Sequence, residues 1–579
     1  MEPPSQPPSR LRSRLLLLVA AALCVCFARL SSAPIWILNE AREGIYARAM
    51  LASGDFVLPV VENHVENGVT IPDKPPLLHW IDCSERWVRS LLSGQDTSGP
   101  ALARAFDVFD LRFASALAAI VCVLGVFLLG RSLVGERAAW LAGFVLLASA
   151  QFEHQSHFGR VDMCLAACVA CATLLLGQAL VHGSRRALLG AAVFSALAVL
   201  SKGPLGLVLP ATAGASYLAW RSLRERGLSW APRLPWVRAA LVWALVALPW
   251  YLVAWRQGGS DFVHSQLLNE NVAQFGGGNG RMSWSTYVGP WLTDTFPWNL
   301  IALFGLWRAR RGGGEGARFA SAWWLSLLLL FQLAAYKRRA YLLPAVPAEA
   351  LLAGFALDGW LLRARELEAR WGRLALATAA GACLGALAGG WLRSQGHALR
   401  VSHVELVPTE QFVGCASLGA LLGALTVLVL GLRERRPLAA LAALFVACIA
   451  GVSGAVPIER SARARAARIP ELVRSVEHEL PPGAAVTLVG LGNDPSMVLL
   501  FEAREPGRWH VVPDADPLPR HFPRGWYLAT TSVAQPLLAQ SSDGCGSWRE
   551  VWRARLSERD NPRDVVLLER LGPQRMSSR

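Results

Sequence analysis

The chain has 579 residues, of which 53% are hydrophobic and only 17% charged, with a formal net charge of +15. Leu, Ala and Val recur in apolar blocks of roughly 15–22 residues, about the length that crosses a ~30 Å hydrocarbon core, so the composition predicts an α-helical polytopic membrane protein. Most arginines sit in short loops between those blocks, where they set orientation, and this excludes nucleic acid as a partner.

Residues 1–14 read as a cytoplasmic N-terminus rich in Pro and Arg, followed by an apolar run from Leu15 to Leu30. Arg10, Arg12 and Arg14 before that run, with Ser31-Ser32-Ala33 after it, fit either a first membrane span or a signal peptide. In both cases the next stretch lies outside the cytoplasm. That stretch, Asn39 to Trp80, holds two charged clusters: Asn39, Glu40, Arg42 and Glu43, then Asp73-Lys74-Pro75-Pro76. Between them Ile45, Ala47, Met50, Leu51 and Ala52 predict a short amphipathic helix that Gly54-Asp55 stops. It opens a long first outer loop, 31–111, containing amphipathic helices.

Further apolar blocks run at 112–130, 138–152, 163–182, 187–201, 204–220, 237–255, 290–307, 319–335, 341–362, 374–392, 414–432 and 438–456. With the first run they predict about thirteen spans and a transmembrane domain over 15–456. Arg131/Arg137, Arg185/Arg186, Arg221 to Arg238, Arg308 to Arg318, Arg363 to Arg373 and Arg433 to Arg436 fall in every second loop. By the positive-inside rule the N-terminus is cytoplasmic and the C-terminus lies on the opposite, periplasmic side of a bacterial inner membrane.

From 457 to 579 the pattern changes to a soluble α/β domain. PELVRSVEHEL predicts a helix, and VTLVG, RWHVV, GWYLATT and DVVLLERL predict strands between Pro- and Gly-rich turns. Gly490-Leu491-Gly492 is too weak a signal for a nucleotide loop. Nine of the eleven cysteines lie in apolar blocks as small buried hydrophobes; Cys83 and Cys545 lie outside them, and a bond between these two is left open.

The basic residues that disobey positive-inside sit on the outer side, several in very short turns. Polar groups at the membrane boundary are costly and mark function. The outer constellation comprises two carboxylates, Glu40 and Asp162, and the cations Arg42, Lys74, Arg160, Lys202, Lys337, Arg338 and Arg339. His79 and Tyr341 stand in the same motifs. A carboxylate can serve as general base or position a hydroxyl. Lysine and arginine hold a phosphate and offset the charge that develops as it leaves. Together they suit transfer of a group from a lipid phosphate. Singly each has a plain structural alternative: Lys202 snorkels, Lys337 to Arg339 contact lipid head groups, Asp162 pairs with Arg160, and His79 packs.

Asn39-Glu40-Ala41-Arg42, Met50-Leu51-Ala52-Ser53-Gly54-Asp55 and Asp73-Lys74-Pro75-Pro76-Leu77 resemble the aminoarabinose (lipid A) transferase and protein O-mannosyltransferase superfamily. Arg160-Val161-Asp162-Met163, Lys202-Gly203-Pro204-Leu205-Gly206 and Lys337-Arg338-Arg339-Ala340-Tyr341-Leu342-Leu343-Pro344 agree with it in order. Asn269-Glu270-Asn271 with Phe275, and Pro297-Trp298, resemble that family's long outer loop. The resemblance spans residues 35–350. It implies the GT-C membrane fold and an inverting transfer from a polyprenyl-phosphate sugar, undecaprenyl in a bacterial membrane. The acceptor it implies is lipid A-like, another glycolipid, a polysaccharide or a protein. No cofactor beyond the donor lipid is implied, and no His/Asp/Glu cluster has metal-ligand spacing.

Carried over residue by residue, Lys74 matches the lysine on the donor phosphate, and Lys202, Lys337 and Tyr341 match positions lining the same cavity. Arg338 and Arg339 share the motif. The family's acidic motif is Asp-Glu with an arginine two residues on. Glu40 and Arg42 match it, whereas Asn39 replaces the Asp. Three consequences stay open: Glu40 or Asp162 takes the carboxylate role, the acceptor is an already ionised phosphate, or the chain is inactive. Two rival functions follow, a polyprenyl-lipid flippase or transporter and a non-catalytic scaffold. The absence of repeating loop lengths, with charges at the outer boundary rather than mid-bilayer, argues against transport; Asn39 is the support for a scaffold.

Overall fold

The structure is a computed structural model. It describes residues 8–35, 37–59, 72, 74–226, 233–263, 266, 282–362, 399–401, 404–405, 408–433, 443–449, 469–489, 508–511, 524–539, 548–555 and 564–571, with isolated positions at 381–392, 451, 458 and 491–503. Asp73, Asn269, Glu270, Asn271, Phe275, Cys545 and most of the expected spans 374–392 and 438–456 lie outside the described residues.

The first apolar run forms α1 (Pro8–Phe27). The outer loop then folds into α2 (Leu38–Ser53), α3 (Leu77–Leu92) and α4 (Gly99–Ala105). Because α2 starts ahead of the apolar positions that predicted it, its first turns carry Asn39, Glu40, Arg42 and Glu43. It ends where expected, at Gly54, whose φ of 74° closes the helix in the left-handed region.

The bundle continues through α5 (Val108–Val134), α6 (Glu136–Leu147), α7 (Ala150–Ser156), α8 (Val161–His182), α9 (Arg185–Lys202), α10 (Leu205–Glu225) and α11 (Trp236–Val263). After a 3-10 turn at Trp284–Tyr287 come α12 (Val288–Asp294), α13 (Trp298–Gly312) and α14 (Glu315–Leu333). A second 3-10 stretch, Arg339–Ala345, leads into α15 (Val346–Leu362), and α16 (Pro408–Arg433) follows. Among the described residues, five segments are long and apolar enough to cross a membrane: 108–134, 161–182, 236–260, 315–333 and 339–359. The expected span 138–152 is divided between α6 and α7; α6, with 12 residues, reaches only about 18 Å. The expected span 290–307 is likewise divided, at Thr295 to Pro297, between α12 and α13.

Local chemistry sets the ends that matter for the site. Asp107 and Asp110 form a reciprocal capping box that starts α5. The Lys202-Gly203-Pro204-Leu205-Gly206 break separates α9 from α10. Gly203 has φ 68°, and a Cβ on Gly206 would stand 2.2 Å from the Ala198 carbonyl carbon, so both positions need glycine. The break leaves Lys202 as the last residue of α9, beside the first turn of α8.

One core runs through α1, α5, α6, α8, α9, α14 and α15, with Trp298, Trp323 and Trp324 fully enclosed. By contrast α11 exposes Val237, Leu241, Leu245, Leu252 and Trp255, an apolar side suited to lipid.

The C-terminal region is built on α17 (Ile469–Glu479), α18 (Thr531–Ala539) and a five-stranded mixed sheet. Its strands are β3 (Val486–Val489), β4 (Trp509–Val511), β5 (Gly525–Thr530), β6 (Trp548–Arg555) and β7 (Asp564–Arg570), in the order β4-β3-β5-β7-β6. β3 pairs in parallel with β4 and β5, whereas β7 is antiparallel to β5 and β6. A small hairpin of β1 (Arg400–Val401) and β2 (Val404–Glu405) precedes them. The expected helix and four expected strands are present. β6 was not anticipated: its charges, and a bulge between Glu550 and Trp552, obscure the period-2 pattern.

A second core joins this region to the outer loop. Ala41, Ala47, Met50 and Leu51 of α2 pack in one cluster with Val476, Leu488, Phe501 and Leu567. Arg48 fastens the two by donating to the Phe501 carbonyl (2.5 Å) and the Phe106 carbonyl (2.9 Å), its guanidinium 4.1 Å from the Phe501 ring centre. The composition shift at 457 is therefore not a boundary between separate cores.

Candidate active site

Asp162 stands in the first turn of α8, two residues after Arg160 caps it. Its Oδ1 accepts from Lys202 Nζ, and its Oδ2 lies 3.0 Å from Arg160 Nη2. Asp162 is buried, whereas the side chains of Lys202 and Arg160 keep 13% and 21% exposure, so the cations face outward from an enclosed anion. Lys202 Nζ also lies 4.9 Å from the Tyr341 ring centre. The Arg338 charge acts on both Tyr341 and Asp162, and Arg338 Nε donates to Tyr336 Oη (3.2 Å).

Lys74, in the turn before α3, joins this cluster to α2: its charge acts on Asp162 and on Glu43. Glu43 is buried. His79 Nε2 lies 2.9 Å from its Oε2, and Arg42 Nη2 lies 3.9 Å from its Oε1. Burial pushes the Glu43 carboxyl up, but the His79 hydrogen bond and the charges of His79, Arg42 and Lys74 outweigh it and hold the group below the usual glutamate range. The cluster so assembled contains two carboxylates among five cations: Arg42, Lys74, Arg160, Lys202 and Arg338.

Glu40 belongs to a different environment. It is fully buried, and Arg112 grips both its oxygens, Nε to Oε1 at 2.6 Å and Nη2 to Oε2 at 3.0 Å. The Gly159 N–H also donates to Oε1 (3.1 Å), and Arg112 Nη1 donates to the Leu30 and Ala33 carbonyls. This closed pair ties α2 to α5 and to the turn before α8. Glu40, expected as a catalytic carboxylate, is thus enclosed in an ion pair with Arg112.

The Lys337-Arg338-Arg339 turn divides as well. Lys337 is buried and donates from Nζ to the Ala334 carbonyl (2.6 Å). Arg339 pairs with Asp294 through both Nε and Nη2, its side chain 68% exposed. Of the three, Arg338 joins the Asp162 cluster. Asn39 is half-buried on α2, and Glu270 lies outside the described residues.

Sequence reasoning missed three members. His79, expected only to pack, bonds Glu43. Glu43 was noted as a charge but given no role, although it lies one helical turn after Asn39, the spacing that would have found it. Arg112, read as the first residue of an apolar span, partners Glu40. Among the described residues no three His, Cys, Asp or Glu side chains form a metal-holding group.

The family described as dolichyl-phosphate-mannose-protein mannosyltransferase matches residues 101–253. The undecaprenyl phosphate-alpha-4-amino-4-deoxy-L-arabinose arabinosyl transferase of Pseudomonas aeruginosa (strain UCBPP-PA14) is 29% identical over 359 residues, 60% of this chain and 60% of that one. Its counterpart from Pseudomonas paraeruginosa is 30% identical over 367 residues, 61% of each. The match thus spans about three-fifths of the length of these curated relatives. The crystal structure of ArnT from Cupriavidus metallidurans bound to undecaprenyl phosphate matches with a TM-score of 0.65 at 21% identity, covering 96% of this chain and 98% of that one. The fold is similar to that of ArnT, a multi-pass helical membrane bundle with a C-terminal mixed β-sheet region. In sequence the chain is ArnT-like, and over residues 101–253 it is similar to the dolichyl-phosphate-mannose-protein mannosyltransferase family.

Proposed function

We propose that the chain transfers a sugar from a polyprenyl phosphate, undecaprenyl phosphate in a bacterial inner membrane, to an acceptor on the periplasmic face, with inversion at the sugar carbon. The acceptor class is a lipid A-like or other glycolipid, a polysaccharide or a protein. The observation that carries this reading is the convergence of Lys74, Lys202 and Arg160 on Asp162, beside Tyr341. Permanent cations fixed by a buried carboxylate are already oriented when a phosphate arrives. They stabilise the extra negative charge it gains on leaving without reorganising. Arg42 and Arg338 extend the same cradle, and the Tyr341 ring offers a flat apolar wall for a sugar face. That the Cupriavidus metallidurans protein was solved with undecaprenyl phosphate bound supports the lipid class.

The test is sugar transfer in membranes from cells lacking the native gene, supplied with undecaprenyl-phosphate pentoses and hexoses. Wild type is compared with Lys74→Ala and Asp162→Asn. Transfer by wild type that falls about 100-fold in both variants is expected. Transfer unchanged in both removes this site, and silence of wild type with every donor removes the transferase reading.

A further inference from the structure

The geometry points to Glu43, held in place by His79, as the group that takes the proton from a hydroxyl acceptor during transfer. This assignment rests on the transferase reading above. Of the three carboxylates Glu40, Asp162 and Glu43, two are poor proton acceptors. Both Glu40 oxygens are engaged by Arg112, with a third donor from Gly159. Asp162 sits between Lys202 and Arg160, and protonating it would break two ion pairs at once. Glu43 is placed otherwise. Its Oε2 is bonded by an imidazole, while its Oε1 makes no hydrogen bond among the described residues and lies on the side of Arg42.

His79 is completely buried, and its Nδ1 has no hydrogen-bond partner among the described residues. Nε2 must therefore carry the proton that bonds Glu43, because the carboxylate is acceptor-only. The ring is also fixed edge-on to Tyr46, with centroids 6.0 Å apart. His79 is thus a positioning residue that locks one oxygen and leaves the other on the side of Arg42. Lys74, whose charge acts on both Glu43 and Asp162, links the proton acceptor electrostatically to the leaving-group cradle.

The step balances. The acceptor hydroxyl oxygen forms a bond to the anomeric carbon of the donor sugar, and its proton passes to Glu43 Oε1. The bond from that carbon to the phosphate oxygen breaks, its electron pair leaving with the polyprenyl phosphate. The cations offset the charge the phosphate gains. A phosphate acceptor, already ionised, would have no use for this group, so the assignment selects a hydroxyl acceptor on a glycan, glycolipid or protein.

The experiment uses the full chain in membranes, with radiolabelled undecaprenyl-phosphate sugars as donors and the host envelope as acceptor pool. Glu43→Gln is expected to lower kcat by about 100-fold or more with donor KM within threefold, and Glu43→Asp to retain most transfer. Asn39 lies one turn away on the same face, so Asn39→Asp in the Glu43→Gln background is expected to restore at least about tenfold. Lost packing would not be restored that way. The groups facing Glu43 are Arg42 on its own helix, Lys74, and His79 and Asp82 on α3. His79→Phe, which removes the hydrogen bond that favours the ionised form, is expected to move the acidic limb of the kcat profile to higher pH. Should Glu43→Gln fail to fold, that shift decides: an acidic limb at the wild-type position in His79→Phe overturns the assignment. Glu43→Gln retaining half of wild-type kcat, or raising donor KM alone, overturns it too while leaving the transferase reading intact. Silence of wild type with every donor overturns both.

Discussion

Two charged regions on the same helix teach opposite lessons about buried ion pairs. Glu40 and Arg112 are both fully buried, and every strong donor and acceptor they carry has an internal partner. Such a pair fixes α2 against α5 and has nothing left to offer a ligand. Three residues on, Glu43 lies beside Arg42 and shares the charge of Lys74 with Asp162, whose own partners Lys202 and Arg160 are partly exposed. There, the positive groups are numerous and outward-facing, an arrangement that adds little to stability and suits an anionic substrate. The two regions differ in how enclosed the cations are, not in residue type.

The largest effect should come from breaking the closed pair. Arg112→Leu leaves Glu40 buried without its counter-charge and is expected to cost about 3–5 kcal/mol, seen as a lower unfolding temperature in detergent. Glu40→Gln added to that variant should recover much of the loss, and a stable Arg112→Leu single variant would break the comparison. Lys74→Ala should do the reverse, lowering transfer about 100-fold with a stability change within about 1 kcal/mol. A smaller structural effect is expected for Arg48→Ala. Loss of its two carbonyl hydrogen bonds and its ring contact should cost about 1–3 kcal/mol and speed proteolysis of the C-terminal region ahead of the bundle.

The smallest effects concern pH, and two neighbouring carboxyls should show opposite signs. Burial, with Asp110, Glu85 and Glu43 nearby, holds Asp82 well above the usual aspartate range against the hydrogen bond from the Ala114 N–H. The folded state then keeps a proton that the unfolded state loses, so wild-type stability falls as pH rises above the ordinary aspartate value. Asp82→Asn, which cannot ionise, should match or exceed wild type at neutral pH and gain on it as pH rises. Glu43 is held low instead. Its contribution is present above the ordinary glutamate value and is lost as pH falls through its lowered folded value, so Glu43→Gln should flatten the acid end of the stability curve. Thermal unfolding of both variants across a pH series reads the two signs directly.

The sequence by itself determined the class of fold, because hydrophobic blocks and helix stops are local patterns. α5, α8, α9 and α11 stand where their apolar runs predicted, and Gly54 and Gly203 end helices as their backbone freedom requires. The Asp162, Lys202 and Tyr341 motifs were legible for the same reason: each is a short run with its own turn chemistry. What only the tertiary structure decided is which charges meet. Lys202 and Asp162 are 40 residues apart, Glu40 and Arg112 are 72 apart, and Arg48 reaches a carbonyl 453 residues on. No local periodicity encodes such separations. Whether a carboxylate is enclosed by arginine, like Glu40, or set beside a histidine and near cations, like Glu43, is fixed only when the helices pack and bring those partners to it.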